Sequence, residues 1–260
     1  MNKLFFLSAL VLTVCFTPLP LMASDSPIKV KIIVDEAYPP YSYAVNGAPR
    51  GIYIEMIRKA GTLLNDEYHI EFESMPWKRA LKEIELGHAF AILPPYIHRQ
   101  ARPYIGPYSV SLLTERVVAV CNKHISLKSL FQDANAQQSK PLNIGINAGY
   151  LMFTDKYKEL IAQEKIKVWE NKSTQANLHK LIDGKIDCYV NDSRAIEYNL
   201  AMITDVMPGE FVEADELSRQ TAHIGFSNSS KGNFPYKSDF IYKLNQAISI
   251  VKEQHEKFKD

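Results

Sequence analysis

The sequence has little cysteine and almost no excess of either charge: of 260 residues three are cysteine, and 30 lysines and arginines stand against 29 aspartates and glutamates. With no run of like charges, that balance lacks the electrostatic footprint of a nucleic-acid-binding chain or of one lying on an anionic membrane. Long hydrophobic runs are missing too, since none reaches the ~20 apolar residues of a spanning helix. The histidines, His69, His88, His98, His124, His179, His223 and His255, form no HExxH and no paired Cys/His spacing, so the common zinc patterns are excluded. Nor is there a nucleophile elbow, a phosphate loop or a dinucleotide glycine pattern; "GINAG" is too short for the last. No catalytic residue, metal ligand or cofactor is therefore expected.

What is present begins with "MNKLFFLSALVLTVCFTPLPLMA", a basic start at Lys3, a short apolar run and small or turn-forming residues near Ala23. This reads as a signal peptide over residues 1–23, giving a soluble periplasmic protein. Val14 before Cys15 is not the small residue a lipoprotein signal requires. Removing the leader takes away one lysine and no acid, leaving the remainder formally neutral. Its length suits one large domain or two lobes. Cys121 and Cys188 lie in the apolar runs "RVVAVCN" and "KIDCYVN". They are either a disulfide, which an oxidising compartment permits, or two buried thiols; spacing does not decide.

Strand-like runs cover 29–35, 69–75, 89–93, 115–121, 142–147, 186–192 and 222–227. Between them Ile54, Ile57 and Leu64, then Trp77, Leu81 and Ile84, then Leu178, Leu181 and Ile182 repeat at helical spacing, and a last helix is expected from Asp239 to about Phe258. Alternation of this kind predicts an α/β protein with largely parallel sheets. "LKEIELGHAFAILPP" (81–95) is echoed by "LHKLIDGKIDCYVND" (178–192). Each is an amphipathic helix closed by glycine, Gly87 or Gly184, and followed by a short strand. Two related lobes would place Arg99 and Asp192 beyond the carboxyl ends of matching strands, facing one another across a cleft.

Taken in order, "VDEAYPPYSY", "GIYIEMIRKAG", "MPWKRALKEIELG", "HRQARPYIGPYS", "ERVVAV", "NIGINAGY", "LIDGKIDCYVNDSRA" and "HIGFSNSS" resemble the periplasmic solute-binding proteins that serve amino-acid ABC importers, extracellular solute-binding protein family 3. The resemblance implies a two-lobed, type II periplasmic-binding-protein fold with two crossing hinge strands, "ERVVAVC" and "AHIGFS", closing on a small solute. Lobe 1 would comprise about 24–116 plus 223–260, and lobe 2 about 117–222. It also implies a monomer that passes its solute to a membrane permease. By position, Tyr38 and Trp77 match the walls over the ligand, Asp35 a specificity position, Arg99 the arginine for an α-carboxylate and Asp192 the acid for an α-ammonium group. Asn147, Gly149, Tyr150 and Leu151 match a loop whose N–H groups help hold the carboxylate.

The sequence departs from that pattern where threonines usually donate to the ligand, because here stand Pro94 and Tyr96. Proline has no N–H, and each missing hydrogen bond to a charged group costs ~1.5–3 kcal/mol unless Tyr96, Tyr150 or water replaces it. Several of these residues have plainer readings. Arg99 could be a surface residue, Asp192 an N-cap for "SRAIEYNL", and Tyr38 and Trp77 packing residues, while Arg102 would hold its loop in place. The function implied is capture of a zwitterionic or carboxylated solute for import. A periplasmic dehydratase on the same scaffold and a sensing subunit for a membrane receptor are the alternatives.

Overall fold

The computed structural model describes residues 26–132, 140–204, 209–230 and 232–257; the expected leader lies outside them. The first sheet starts where the sequence is most apolar. In strand β1 (Ile28–Asp35) every side chain from Ile32 to Asp35 is buried, the pattern of a strand covered on both faces. Strands β2 (Ala37–Tyr38), β3 (Ser42–Val45) and β4 (Ala48–Arg50) form a small antiparallel sheet beside its end. Helix α1 (Ile52–Thr62) leads to β5 (Tyr68–Met75), and helix α2 (Trp77–Glu85) leads to β6 (Ala91–Leu93) and then β7 (Ile105–Tyr108). Helix α2 buries Trp77, Ala80, Leu81 and Ile84, one face of a helical repeat.

The second half runs β8 (Thr114–Asn122), α3 (Leu127–Gln132), β9 (Leu142–Asn147), α4 (Asp155–Ala162), β10 (Ile166–Asn171), α5 (Thr174–Ile182), β11 (Cys188–Asp192), α6 (Ser193–Leu200) and β12 (Phe211–Thr221). Strand β13 (Gly225–Ser227) then rejoins the first sheet, and α7 (Lys237–Lys257) packs Phe240, Leu244, Ala247 and Ile248 into its core. The two sheets have the orders β5-β1-β6-β13-β7 and β10-β9-β11-β8-β12. In each, the first three strands are parallel and joined by helices, and the last two run antiparallel to their neighbours.

The sheets are thus mixed, in place of the largely parallel ones that alternation predicts. The strands that carry the chain between sheets lie antiparallel beside the parallel core. The echo is a repeat of construction: α2 and α5 both stop at a glycine with positive φ, +77° at Gly87 and +65° at Gly184, and both feed the third strand of their sheet. The chain crosses over 109–113 and returns over 222–224. The two crossings are hydrogen-bonded, Leu112 N–H to Ala222 O at 2.8 Å and Ser109 N–H to Ile224 O at 2.9 Å. "ERVVAVC" therefore lies within the second sheet, immediately after the crossing.

Cys121 of β8 and Cys188 of β11 face one another in antiparallel register and form a disulfide. It closes a span of 67 residues, for which chain entropy sets a ceiling of about 4 kcal/mol. Replacing both cysteines with alanine is expected to cost about 3 kcal/mol, read as a lower urea midpoint with a steeper slope, because the unfolded chain loses its cross-link and exposes more surface. An unchanged midpoint would mean that the antiparallel pairing alone fixes β8 against β11.

Candidate functional site

The carboxyl ends of β1, β6 and β9 converge between the two sheets, where open α/β sheets bind ligands. Asp35 ends β1, Trp77 opens α2, Pro94, Pro95, Tyr96 and His98 follow β6, and Tyr150 to Met152 follow β9. Together with Tyr38 and Arg102 these residues line one cavity of about 30 Å³, room for about two water molecules. Of the residues singled out from the sequence, Asp35, Tyr38, Trp77, Tyr96, Tyr150 and Leu151 share that cavity, and Asn147 lines a second one next to it. Arg99, Gly149 and Asp192 line neither.

The arginine in the cleft is Arg102. Its N–H donates to His98 O at 2.8 Å, closing one helical turn. Residues four apart in such a turn share a face, so His98 and Arg102 look into the cavity together and Arg99 points away from it. Arg99 is exposed, its guanidinium 5.4 Å from the centre of the Tyr108 ring. Arg102 is buried, donates to Gly149 O, and stands 5.9 Å from the Trp77 ring centre. Burial pushes its pKa down from the usual arginine value, yet a guanidinium stays charged. Among the described residues no carboxylate lies within ion-pair distance of it.

Asp35 is the counterpart on the other wall. Its carboxylate accepts from Ala37 N–H at 2.9 Å and from the Tyr150 hydroxyl at 2.7 Å, and no cation pairs with it among the described residues. Burial raises its pKa to about 6, against the pull of those two donors. His98, pushed down to about 4 chiefly by burial and then by Arg102, is neutral near pH 7. The cavity thus combines one uncompensated guanidinium, one uncompensated carboxylate and the aromatic walls Tyr38, Trp77, Tyr96 and Tyr150.

Asp192 sits elsewhere, buried, accepting from the Tyr41 hydroxyl at 2.9 Å, from Arg116 N–H at 3.0 Å and, as N-cap of α6, from Ala195 N–H at 3.0 Å. The loop amides matched to carboxylate binding are also engaged: Ala148 N–H with Asn171 O, Gly149 N–H with Glu170 and Tyr150 N–H with Asn147 O. Asn147 is tied by its side chain to Thr174, Asn177 and Tyr189.

Sequence reasoning passes over Glu115. Buried at the start of β8, it accepts hydrogen bonds from the hydroxyls of Tyr38, Tyr53 and Tyr96. Its pKa is raised to about 7, mainly by burial and then by the nearby Asp192. A lone acid at the head of "ERVVAV" is the available signal, but the tyrosines that reach it are distant in sequence. Further ties join the two halves across the cleft, Lys78 to Glu170 at 2.7 Å and Asn199 Nδ2 to Pro39 O at 3.3 Å.

Among solved structures, the chain is similar to a histidine kinase sensor domain with similarity to periplasmic binding proteins, at a TM-score of 0.67 and 12% identity, covering 89% of this chain and 93% of that one. It is likewise similar to an ABC uptake transporter substrate-binding protein from Streptococcus pneumoniae with bound histidine, at 0.64 and 15%, covering 87% of each. A third likeness is to the substrate-binding protein of an amino acid ABC transporter, at 0.63 and 15%, covering 89% and 96%. At such identities these likenesses establish the fold, that of type II periplasmic binding proteins. No curated protein sequence matches the chain. A family profile matches residues 30–256, and by that match over nearly the whole described chain the protein belongs to the bacterial extracellular solute-binding proteins, family 3.

Proposed function

We propose that this chain, freed of residues 1–23 in the periplasm, captures a small zwitterionic solute between its lobes and delivers it to an ABC importer, acting as a monomer without catalysis. The observation that carries this reading is Arg102, a buried guanidinium with no carboxylate partner among the described residues, in the same cavity as Asp35, a buried carboxylate with no cation among them. Unpaired buried charges are costly, and a ligand bearing the opposite pair would compensate both. Arg102 would take the carboxylate in a bidentate fork and Asp35 the ammonium group, with Tyr38, Trp77 and Tyr96 as walls.

The test is thermal unfolding and calorimetry of the mature protein against amino acids, other zwitterions, amines without a carboxylate and carboxylates without an amine. At 100 times its dissociation constant a bound ligand adds ~2.7 kcal/mol, several degrees in the midpoint. The expected result is a response to zwitterions, weakened about tenfold in Asp35→Asn, which keeps the acceptor and loses the charge. A response to carboxylates alone, undiminished in Asp35→Asn, would sink the zwitterion reading. Conversion of a cyclic carboxylate to product would favour the dehydratase.

A further inference from the structure

One side chain divides the cleft. Tyr150 stands edge-on to Tyr38, 5.6 Å between ring centres, and to Trp77, at 6.3 Å. On one side of it is the cavity that holds Arg102. On the other is a cavity of about 100 Å³ that reaches Asn147, Lys78 and Lys172. Asp35, Trp77 and Tyr150 belong to the walls of both, so the ring of Tyr150 and the two groups it touches are the partition.

The same residue occupies the acceptor. Asp35 Oδ1 takes the Ala37 N–H and Oδ2 takes the Tyr150 hydroxyl. Burial and the adjacent Asp35 charge hold the Tyr150 phenol well above its ordinary pKa, so it remains a donor. About 30 Å³ beside Arg102 is too little for even a small amino acid. Whatever space the lobes open, a solute gains Asp35 Oδ2 only when Tyr150 yields it.

We infer that Tyr150 determines which solutes this cleft accepts: its hydroxyl stands where the solute's ammonium group must go, and its ring limits solute length by closing off the second compartment. The inference rests on the zwitterion reading above and deepens it. The solute class it names is a short zwitterion whose amine displaces the phenol from Asp35.

The experiment uses the mature protein as wild type, Tyr150→Phe and Tyr150→Ala, each checked for native circular dichroism. A length series of glycine, β-alanine, 4-aminobutyrate and 6-aminohexanoate is titrated by calorimetry. Tyr150→Phe, which deletes only the competing hydroxyl, is expected to bind the shortest ligands about tenfold more tightly. Tyr150→Ala is expected to shift the preference toward the longer members by about tenfold or more. Weaker binding by Tyr150→Phe would mean that the hydroxyl holds the solute instead of holding its place, and an unchanged length order in Tyr150→Ala would mean that the ring is not the wall; either overturns the inference.

A second probe does not depend on zwitterions. p-Cresol, the side chain of tyrosine, is expected to raise the unfolding midpoint of Tyr150→Ala but not of wild type, and to lose that effect when Asp35→Asn is added. If wild type ignores the whole length series while p-cresol behaves as expected, the zwitterion reading has failed and the place held by Tyr150 stands. If p-cresol has no effect on Tyr150→Ala, the place is not one a ligand can enter, and the inference fails by itself.

Discussion

Arg102→Ala is expected to weaken solute binding by about two to three orders of magnitude, the usual result of truncating one partner of a buried, hydrogen-bonded charge pair, while Arg99→Ala leaves it within about twofold. The contrast follows from one turn of backbone: His98 O accepts from Arg102 N–H, so positions 98 and 102 share the inner face and position 99 does not. Calorimetry on the two variants with the solute found for wild type reads the difference directly. Ligand-free stability provides the control. Removing an unpaired buried guanidinium relieves a desolvation cost while giving up one hydrogen bond to Gly149 O and the packing on Trp77, so the unfolding free energy should change by less than about 1 kcal/mol. If Arg99→Ala abolishes binding and Arg102→Ala does not, the carboxylate sits outside the cavity and the site must be redrawn around Tyr108.

That single turn also marks where sequence reading succeeds and where it stops. The parallel strands and the helices after them are legible because burial on both faces writes continuous apolar runs such as "KIIVD" and "LNIGIN", and because amphipathic helices write a 3.6-residue repeat. Strand β12 is not legible, since "FVEADELSRQT" alternates poorly and lies at a sheet edge with two register shifts. Strand β10 carries "IKVWEN", half charged or amide for the same reason.

The site is legible as a place more than as a set of roles. Asp35, Tyr38, Trp77 and Tyr96 reach the cavity because strand ends and helix starts fix them within a residue or so. Which of two arginines three positions apart faces inward depends on a turn conformation, and proline-rich "LPPYIHRQARPY" carries no periodicity that sets it. Asp192 takes the N-cap role that "SRAIEYNL" suggests, capping α6 while also holding Tyr41, and it does so at the end of β11, the strand that matches β6 in the repeat. The hydroxyls that gather on Glu115 come from β2, α1 and the segment after β6, and only the tertiary fold brings them together.

Glu115→Ala is expected to be the most damaging change outside the cleft, costing about 4 kcal/mol: three buried tyrosine hydroxyls would lose their acceptor at ~1–3 kcal/mol each, offset in part by relief of one desolvated carboxylate. The pH dependence separates charge from shape. In the folded protein burial and Asp192 hold Glu115 at about 7, above its ordinary 4.5, and burial holds Asp35 at about 6, above 3.8. A carboxyl whose folded pKa is raised binds more protons folded than unfolded across the window between the two values. Stability therefore falls as pH rises through about 4.5 to 7 for Glu115 and about 3.8 to 6 for Asp35. The penalty is complete above the window and absent below it. Glu115→Gln keeps the shape and one acceptor but cannot titrate. Urea unfolding of both proteins at pH 8 and pH 5 should show wild type gaining on the variant by on the order of 2 kcal/mol at the lower pH. A constant difference between the two would mean that Glu115 stays ionised in the folded protein at both pH values, its three tyrosine donors outweighing burial, whereas a larger gain than this would mean that it is already protonated at pH 8. Because Tyr38 and Tyr96 are at once donors to Glu115 and walls of the cavity, and Glu115 opens the strand directly after the 109–113 crossing, Glu115→Ala should also loosen solute binding, though Glu115 itself does not line the cavity. Intact affinity in a folded Glu115→Ala protein would show that the walls are held by their packing alone.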